Sequence, residues 1–439
     1  PSNVALCMHP EYDYVMVEME ESGERYVLAE GLLKSVLGEE GYTVLSTKKG
    51  LDYEHTEYEA LYPFGKEKFN YREKAHYVTC DEYVTLSDGT GVVHIAPAFG
   101  EDDYKVGKRY GLPVVQLIGE DGKFRILMVS DIHGGVGYDE MRTVRAMQAL
   151  VDCTKPHLVL LGGDIAGPGT IHVSNKEELK VLLDGLVAPM EQAGIPWAHV
   201  YGNHDDNFGL PDSEAQTVYE RYPYCVSKTS PADVSGVSNY VLPVWDETGE
   251  NILFNVFALD SQHRMDEFRA EFGLGEDVAP IDLVGMENED EGPIRFDQVN
   301  WYYQTSKAME VHAGHKIPAL MYTHFPLPEH RIVALRPEEC QLEGHVGPQI
   351  DSSFLNSGLF SACLQRGDVK AIFCGHDHRS DYSGVYCGIR LGLDGFMSYC
   401  ACHDEQIRGG RVFEISADTP DQIETKMVRV KDCPGFVEI

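Results

Sequence analysis

The sequence lacks most of what membranes, secretion and nucleic acids require. No stretch of about eighteen consecutive apolar residues occurs, so no membrane-spanning helix and no membrane partner is expected. The N-terminal PSNVALCMHPEYDY has neither the basic segment nor the long apolar core of a secretory signal. It also has no initiator Met, so further sequence upstream is expected. The 11 cysteines are an odd number, no CxxC occurs, and Cys400-Ala-Cys402 is the one close pair. That excludes a disulfide framework and a thiolate zinc module, and predicts reduced, mostly buried thiols in a cytoplasmic protein. Basic residues are scarce, with 36 Lys and Arg against 71 Asp and Glu, a net charge of −35. Such a chain repels polyanions, which argues against a nucleic-acid partner. Part of the acidic excess lies in Glu271–Gly292, read as a solvated surface loop.

What is present divides near residue 122. There are no internal repeats and no low-complexity linker. Before that point the chain is rich in Tyr, Val, Gly and Glu. Short alternating runs (Tyr14–Glu18, Arg25–Leu28, Tyr83–Leu86) are punctuated by Glu21-Ser-Gly23 and Ser87-Asp-Gly89. This predicts a small β-rich module with a short helix near Ala29–Leu37. After Lys123, apolar runs alternate with amphipathic segments. Strands are expected at Phe124–Ser130, His157–Leu161, Pro196–Tyr201, Gly236–Pro243, Ile252–Leu259, Ile317–Tyr322 and Val369–Phe373. Helices are expected at Tyr138–Val151, Lys176–Ala193, Asp297–Val311 and Ser353–Gln365, and short strands from about Asp381 onward. The pattern is that of an α/β sandwich.

Five of these strands run directly into polar clusters. Asp131-Ile-His133 follows ILMVS, Gly163-Asp164 follows LVLLG, and Gly202-Asn203-His204-Asp205 follows WAHVY. Thr323-His324 follows PALMY, and Gly375-His376-Asp377-His378 follows KAIFC. Ligand sites in α/β sheets lie at the carboxyl ends of strands, so five strand ends can deliver Asp, His and Asn to one edge. Glycine beside the polar residue permits a tight turn and close backbone approach. Carboxylate, imidazole and amide without thiolate suit two divalent or trivalent metal ions such as Mn, Fe or Zn. Two metals roughly 3.5–4 Å apart can clamp a phosphoryl group and activate a water for in-line attack.

The ordered set DxH, GD, GNHD, H and GHxH resembles the calcineurin-like metallophosphoesterases across about Lys123–Asp432. The resemblance implies a metallophosphoesterase β-sandwich flanked by helices. It assigns Asp131, His133 and His378 to one metal, and Asn203, His324 and His376 to the other, with Asp164 bridging. It makes His204 an acid or transition-state stabiliser oriented by Asp205. The implied activity is hydrolysis of a phosphate ester by in-line attack of a bridging hydroxide. The segments VSNYVLPV, ALDSQ, THFPLPE, LNSGLF, GDVKAIFCGHDH and RGGRVFE resemble the purple-acid-phosphatase-like branch. The purple enzymes carry a tyrosinate three residues after the bridging Asp; here that residue is Gly167 and His133 is present, which implies a colourless site. Ile165-Ala-Gly-Pro-Gly169 follows Asp164, where Ser/Thr phosphatases carry Asp-Arg. Asn239 and His345 are further candidates for the pocket wall, each equally explained as a strand cap or a loop residue. Ser261–Asp297 is the expected lid.

Residues 1–122 resemble a different family, the editing domain of isoleucyl-tRNA synthetases. The resemblance lies in PSNVALCMHPEYDYV, YVLAEGLL, TEYEALYPF and above all DGTGVVHIAPAFGEDDYKVGKRYGLPVV. It implies that His94 lines an editing pocket and that Asp103 binds an α-amino group. The threonine-rich strand that precedes PSN in the family is not in this sequence, and the match passes at Gly122-Lys-Phe124 into the phosphoesterase strand. The chain therefore looks like a fusion, natural or made by gene assembly, with His94 and Asp103 better read as structural remnants than as working catalysts. Two alternatives to the phosphoesterase reading follow. One is deacylation of mischarged tRNA by the first module, the only case in which tRNA would be a partner. The other is a non-catalytic interaction module, which the full ligand set disfavours. Monoester or diester preference and oligomeric state are not legible.

Overall fold

The computed structural model describes residues 4–20, 22–58, 75–86, 89–95, 101–112, 122–134, 138–167, 173–206, 209–245, 251–261, 264–278, 291–399 and 406–436. Much of TEYEALYPF and AFG, the Cys400–Cys402 pair, and most of the acidic run in Glu271–Gly292 lie outside these residues. The chain divides into two compact units, one within residues 1–117 and one within 118–439.

Among the described residues the first unit has six strands: β1 (Ala5–Met8), β2 (Asp13–Met19), β3 (Arg25–Ala29), β4 (Tyr42–Lys49), β5 (Val78–Cys80) and β6 (Val92–Ile95). They form two three-stranded sheets, ordered β5-β1-β6 and β3-β2-β4. The helical segment expected near Ala29–Leu37 is a 3-10 turn, Glu30–Leu32, followed by the helix Leu33–Leu37, which ends at Gly38 with φ 85°. A second helix, Glu101–Tyr110, packs Val106 with Val4, Cys7, Val84 and Ile95 in a small core. Tyr83–Leu86 is not a strand. The Asp81 carboxylate accepts the Tyr83 backbone N–H at 3.0 Å, which turns the chain there and sends Val84 into the core.

The second unit is a two-sheet sandwich with, among the described residues, eleven strands: β7 (Lys123–Val129), β8 (Leu158–Leu161), β9 (Trp197–His199), β10 (Tyr240–Trp245), β11 (Ile252–Ala258), β12 (Ala319–Tyr322), β13 (Val369–Cys374), β14 (Ser383–Tyr386), β15 (Ile389–Leu393), β16 (Gly409–Ser416) and β17 (Ile423–Arg429). One sheet runs β10-β11-β12-β13-β15-β14 and the other β17-β16-β7-β8-β9. The pairs β7/β8, β8/β9, β11/β12 and β12/β13 are parallel, so their carboxyl ends share one edge of each sheet. Alternate residues build separate cores, as a period of two requires. Ile126, Met128, Leu160, Phe254, Val256, Leu320, Phe373 and Phe413 meet between the sheets. Phe257, Met321, Ile372 and Leu391 face away from that core, toward Val299, Tyr302, Leu359 and Cys363 of the outer helices. Both faces of the central strands are thus covered, which is why they read as unbroken apolar runs.

Three expected elements differ. Lys176–Ala193 is two helices, Lys176–Leu186 and Ala188–Ala193, because Pro189 cannot donate within a continuous helix and instead occupies the first turn of the second. The helix expected from Ser353 begins only at Leu359, after Gly358 in left-handed backbone. The strand expected from Gly236 begins at Tyr240, because side chains of Asp260 and Ser230 take the Val237, Ser238 and Asn239 amides. No helix among the described residues is long and apolar enough to cross a membrane. All nine described cysteines are free thiols, six of them buried.

Candidate metal centre

The five polar clusters lie where β7, β8, β9, β12 and β13 end. The loops after β7 and β8 stay paired by backbone bonds: Asp131 N–H to the Gly163 carbonyl at 3.1 Å, His133 to Asp164 at 2.8 Å and Gly134 to Ile165 at 2.8 Å. Asp131, His133, Asp164 and His376 all have positive φ, between 46° and 75°. L-residues adopt that region at a cost, and the cost concentrates here at the strand ends that carry the polar side chains. Close approach is also built in. A Cβ on Gly202 would collide with the Asp164 carboxylate, and one on Gly163 would come within 2.5 Å of His324 Nδ1.

Two groups of side chains converge. Asp131, His133 and His378 have ligand-capable atoms within 4.8 Å of one another, and so do Asp164, His324 and His376. His378 Nε2 is 3.2 Å from Asp131 Oδ1 and 2.9 Å from His133 Nε2. Asp164 Oδ2 reaches across both groups, 3.7 Å from His133 Nε2 and 3.3 Å from His324 Nε2. Asn203 Oδ1 lies 3.3 Å from His324 Nε2, which places the amide beside the second group.

Outer contacts orient these atoms. His133 Nδ1 donates to the Gly167 carbonyl at 2.7 Å and His324 Nδ1 to the Gly162 carbonyl at 2.9 Å, which turns each Nε2 toward the other ligand-capable atoms. Asp131 Oδ2 accepts from Ser130 Oγ at 2.5 Å and from the His376 amide at 2.9 Å. Asp131 Oδ1 and Asn203 Nδ2 are buried without a hydrogen-bond partner. A fold gains nothing from an orphaned carboxylate oxygen facing two imidazole nitrogens, whereas a cation there would satisfy all three. Electrostatics agree. Burial would raise the Asp131 carboxyl, yet the adjacent His378 and the charge of His324 hold it at about 2. Burial would lower His324, yet Asp164 and Asp131 push it up to about 10. The site draws positive charge, and the oxygen and nitrogen donors fit divalent metal ions.

His204 donates its backbone N–H to Asp164 Oδ1 at 2.8 Å, and its ring centroid lies 5.4 Å from that of His133. Burial lowers His204 to about 4. Asp205 accepts three backbone amides, Ile165 at 2.9 Å and Ala166 at 2.8 Å on Oδ1, and Gly202 at 2.8 Å on Oδ2. It therefore braces the Asp164 and Asn203 loops against each other.

Glu291 was not among the expected site residues. It falls within the segment read as solvated, yet it is buried, and its Oε1 lies 3.1 Å from His376 Nε2. The imidazole is the partner that makes burial of this carboxylate tolerable; burial favours the acid form, and the bond and charge of His376 hold it ionised. Asp394 is likewise buried, 2.7 Å from Ser130 Oγ, and burial raises its carboxyl to about 8. Asn239 does not line the pocket. Its amide is fully used, donating to Ser230 Oγ and the Ser235 carbonyl and accepting from the Asp260 amide and Gln298. His345 is exposed on its loop. In the first unit, His94 lies in β6 opposite Leu6, and Asp103, on the helix Glu101–Tyr110, accepts the Tyr83 hydroxyl at 3.3 Å.

Comparison with known proteins follows the same division. The family described as calcineurin-like phosphoesterase matches residues 124–380. A protein named probable inactive purple acid phosphatase 14, from Arabidopsis thaliana, is 27% identical over 312 residues, covering 64% of this chain and 71% of that protein. Isoleucine–tRNA ligase of Clostridium acetobutylicum is 49% identical over 124 residues, which are 28% of this chain and 11% of the ligase. This chain thus spans a small part of that enzyme. Among solved structures, a dimetal phosphatase from Danio rerio is 13% identical with a TM-score of 0.46, covering 70% of this chain and 96% of that one. The chain belongs to the calcineurin-like phosphoesterase family, as a metal-dependent phosphoric ester hydrolase part of which, 28% of the chain, is similar to a segment of isoleucine–tRNA ligases.

Proposed function

We propose that residues 123–439 form a dinuclear phosphoesterase, with the functional boundary at Gly122-Lys123. Asp131, His133 and His378 would hold one ion, Asn203, His324 and His376 the other, and Asp164 both. Mn, Fe and Zn are the metals that such a donor set favours. When bound, the pair supplies Lewis-acid charge and an acidified water for attack on phosphorus. The protein's own residues do the rest. The Gly167 and Gly162 carbonyls fix the tautomers of His133 and His324. Glu291 takes the outer nitrogen of His376, which leaves the other ring nitrogen for the ion. His204, kept neutral by burial, donates a hydrogen bond to a phosphoryl or leaving-group oxygen rather than carrying a full charge. Asp205 keeps the Asn203-His204 loop against Asp164 and so holds His204 in place.

The observation that carries this reading is the partnerless Asp131 Oδ1, buried and facing His378 Nε2 at 3.2 Å. The test strips the full chain of metal, restores Mn²⁺, and follows p-nitrophenyl phosphate beside bis-p-nitrophenyl phosphate. Metal-dependent turnover is expected. Protein that holds two ions per chain and turns over neither compound would oppose the assignment.

A further inference from the structure

We infer that Arg264 is the residue that recognises the substrate's terminal phosphoryl charge, so that the site prefers phosphomonoesters over phosphodiesters. The inference rests on the phosphoesterase reading above and extends it to a substrate class.

Arg264 stands just before the helix Met265–Phe272, where its side chain makes no capping bond. Its backbone bridges antiparallel to Glu291, whose carboxylate touches His376. Residue 264 is therefore held one strand-pairing away from a candidate ligand's partner. Arg264 is half-buried as a residue, and among the described residues its side chain has no hydrogen-bond or ion-pair partner. Other arginines of this unit behave differently. Arg295 pairs with Glu271 at 2.8 Å, Arg331 donates to the Ile350 carbonyl at 2.9 Å, and Arg366 pairs with Glu310. In a chain with net charge −35, a partly buried cation that has no partner among the described residues and lies beside a catalytic cluster suits an external anion.

The chemistry selects the class. A phosphomonoester carries three terminal oxygens and up to two negative charges. A diester carries two terminal oxygens and one charge, with a second ester oxygen in place of the third. A guanidinium offers paired donors matched to phosphate oxygens, so its contribution is largest for the third oxygen and the second charge.

The experiment uses the Mn²⁺-loaded full chain as wild type, Arg264→Gln and Arg264→Lys. Turnover of p-nitrophenyl phosphate and bis-p-nitrophenyl phosphate is measured, with calorimetric binding of inorganic phosphate. Arg264→Gln is expected to lower monoester kcat/KM roughly 10- to 100-fold and to weaken phosphate binding by a similar factor, while diester kcat/KM moves less than about threefold. Arg264→Lys, which keeps the charge but not the fork, is expected to fall between wild type and Arg264→Gln in phosphate affinity and in monoester kcat/KM. Parallel loss on both esters, unchanged phosphate binding in Arg264→Gln, or a wild type that binds no phosphate would overturn the inference. Wild type that binds phosphate through Arg264 yet hydrolyses neither ester would sink the phosphoesterase reading while leaving Arg264 as the anion site. If circular dichroism shows that Arg264→Gln does not fold, Arg264→Lys decides: a loss confined to the monoester supports the inference and equal losses overturn it.

Discussion

The candidate site residues of the two units sit differently, although the first unit too has left-handed histidines, His55 and His76, and buried partnerless hydroxyls, Tyr53 and Tyr58. In the first, Asp103 accepts the Tyr83 hydroxyl, and His94 sits in an ordinary strand register opposite Leu6. In the second, Asp131, His133, Asp164 and His376 occupy left-handed backbone, and Asp131 Oδ1 and Asn203 Nδ2 lack partners. A folded chain has no reason of its own to accumulate strain and unsatisfied donors at one edge. Where they cluster, an external group is the economical explanation. The contrast separates two kinds of resemblance. Both regions carry recognisable family motifs, and the second also carries the physical signs of a binding site.

The largest effect expected is from Asp164→Asn. Losing the carboxylate that spans both groups should lower metal-dependent ester hydrolysis about 10³-fold or more while leaving the far-ultraviolet circular dichroism unchanged. Retained turnover in purified, metal-loaded Asp164→Asn would remove the bridging role and with it half of the contrast. Next comes Glu291→Gln, which tests the carboxylate behind His376. Metal affinity measured by chelator competition should weaken by roughly 10- to 100-fold, and an unchanged affinity would reduce Glu291 to packing.

Acid sensitivity sharpens the second unit's side by separating its core from its metal centre. His199 and His330 are buried away from the ligand set and held down to about 3 and about 4 by desolvation. Their folded values lie below the unfolded one, so the unfolded chain takes up protons first. Their contribution is complete above about pH 6.5 and is lost as pH falls toward the folded values, at about 1.4 kcal/mol per pH unit for each histidine. Urea midpoints of metal-free protein at pH 7 and pH 5.5 should differ accordingly, and a flat profile would show that these rings are protonated in the fold. The smallest effect is expected from Asp103→Ala, which should leave ester hydrolysis within about twofold and produce no change in Val-tRNA deacylation. Loss of deacylation in that variant would mean that the first unit works as an editing module, and the contrast would fail.

Legibility followed the range of the interactions concerned. The clusters after β7, β8, β9, β12 and β13 could be read because each sits beside its own strand, and the glycines that permit close approach sit beside them in sequence. Glu291 could not be read. Its partner His376 is far along the chain, and a carboxylate in an acidic run looks solvated until a fold buries it. Asn239 could be read only as one of two equal alternatives, because besides the nearby Ser230 and Ser235 its partners Asp260 and Gln298 are distant in sequence. Tyr83–Leu86 alternates like a strand, yet one Asp81 side-chain bond suffices to turn it.

By itself the sequence determined the sandwich, through apolar runs and their spacing, and the identities of the side chains at the strand ends, because both are local properties of the chain. Only the tertiary structure decided which atoms face one another. It gave Asp164 a reach across two groups, Asp131 an oxygen without a hydrogen-bond partner, His376 a buried carboxylate from a distant loop and Arg264 a place opposite that carboxylate's residue. Those features depend on where separate segments come to rest, and that is set by the packing of two sheets and their helices rather than by any one segment.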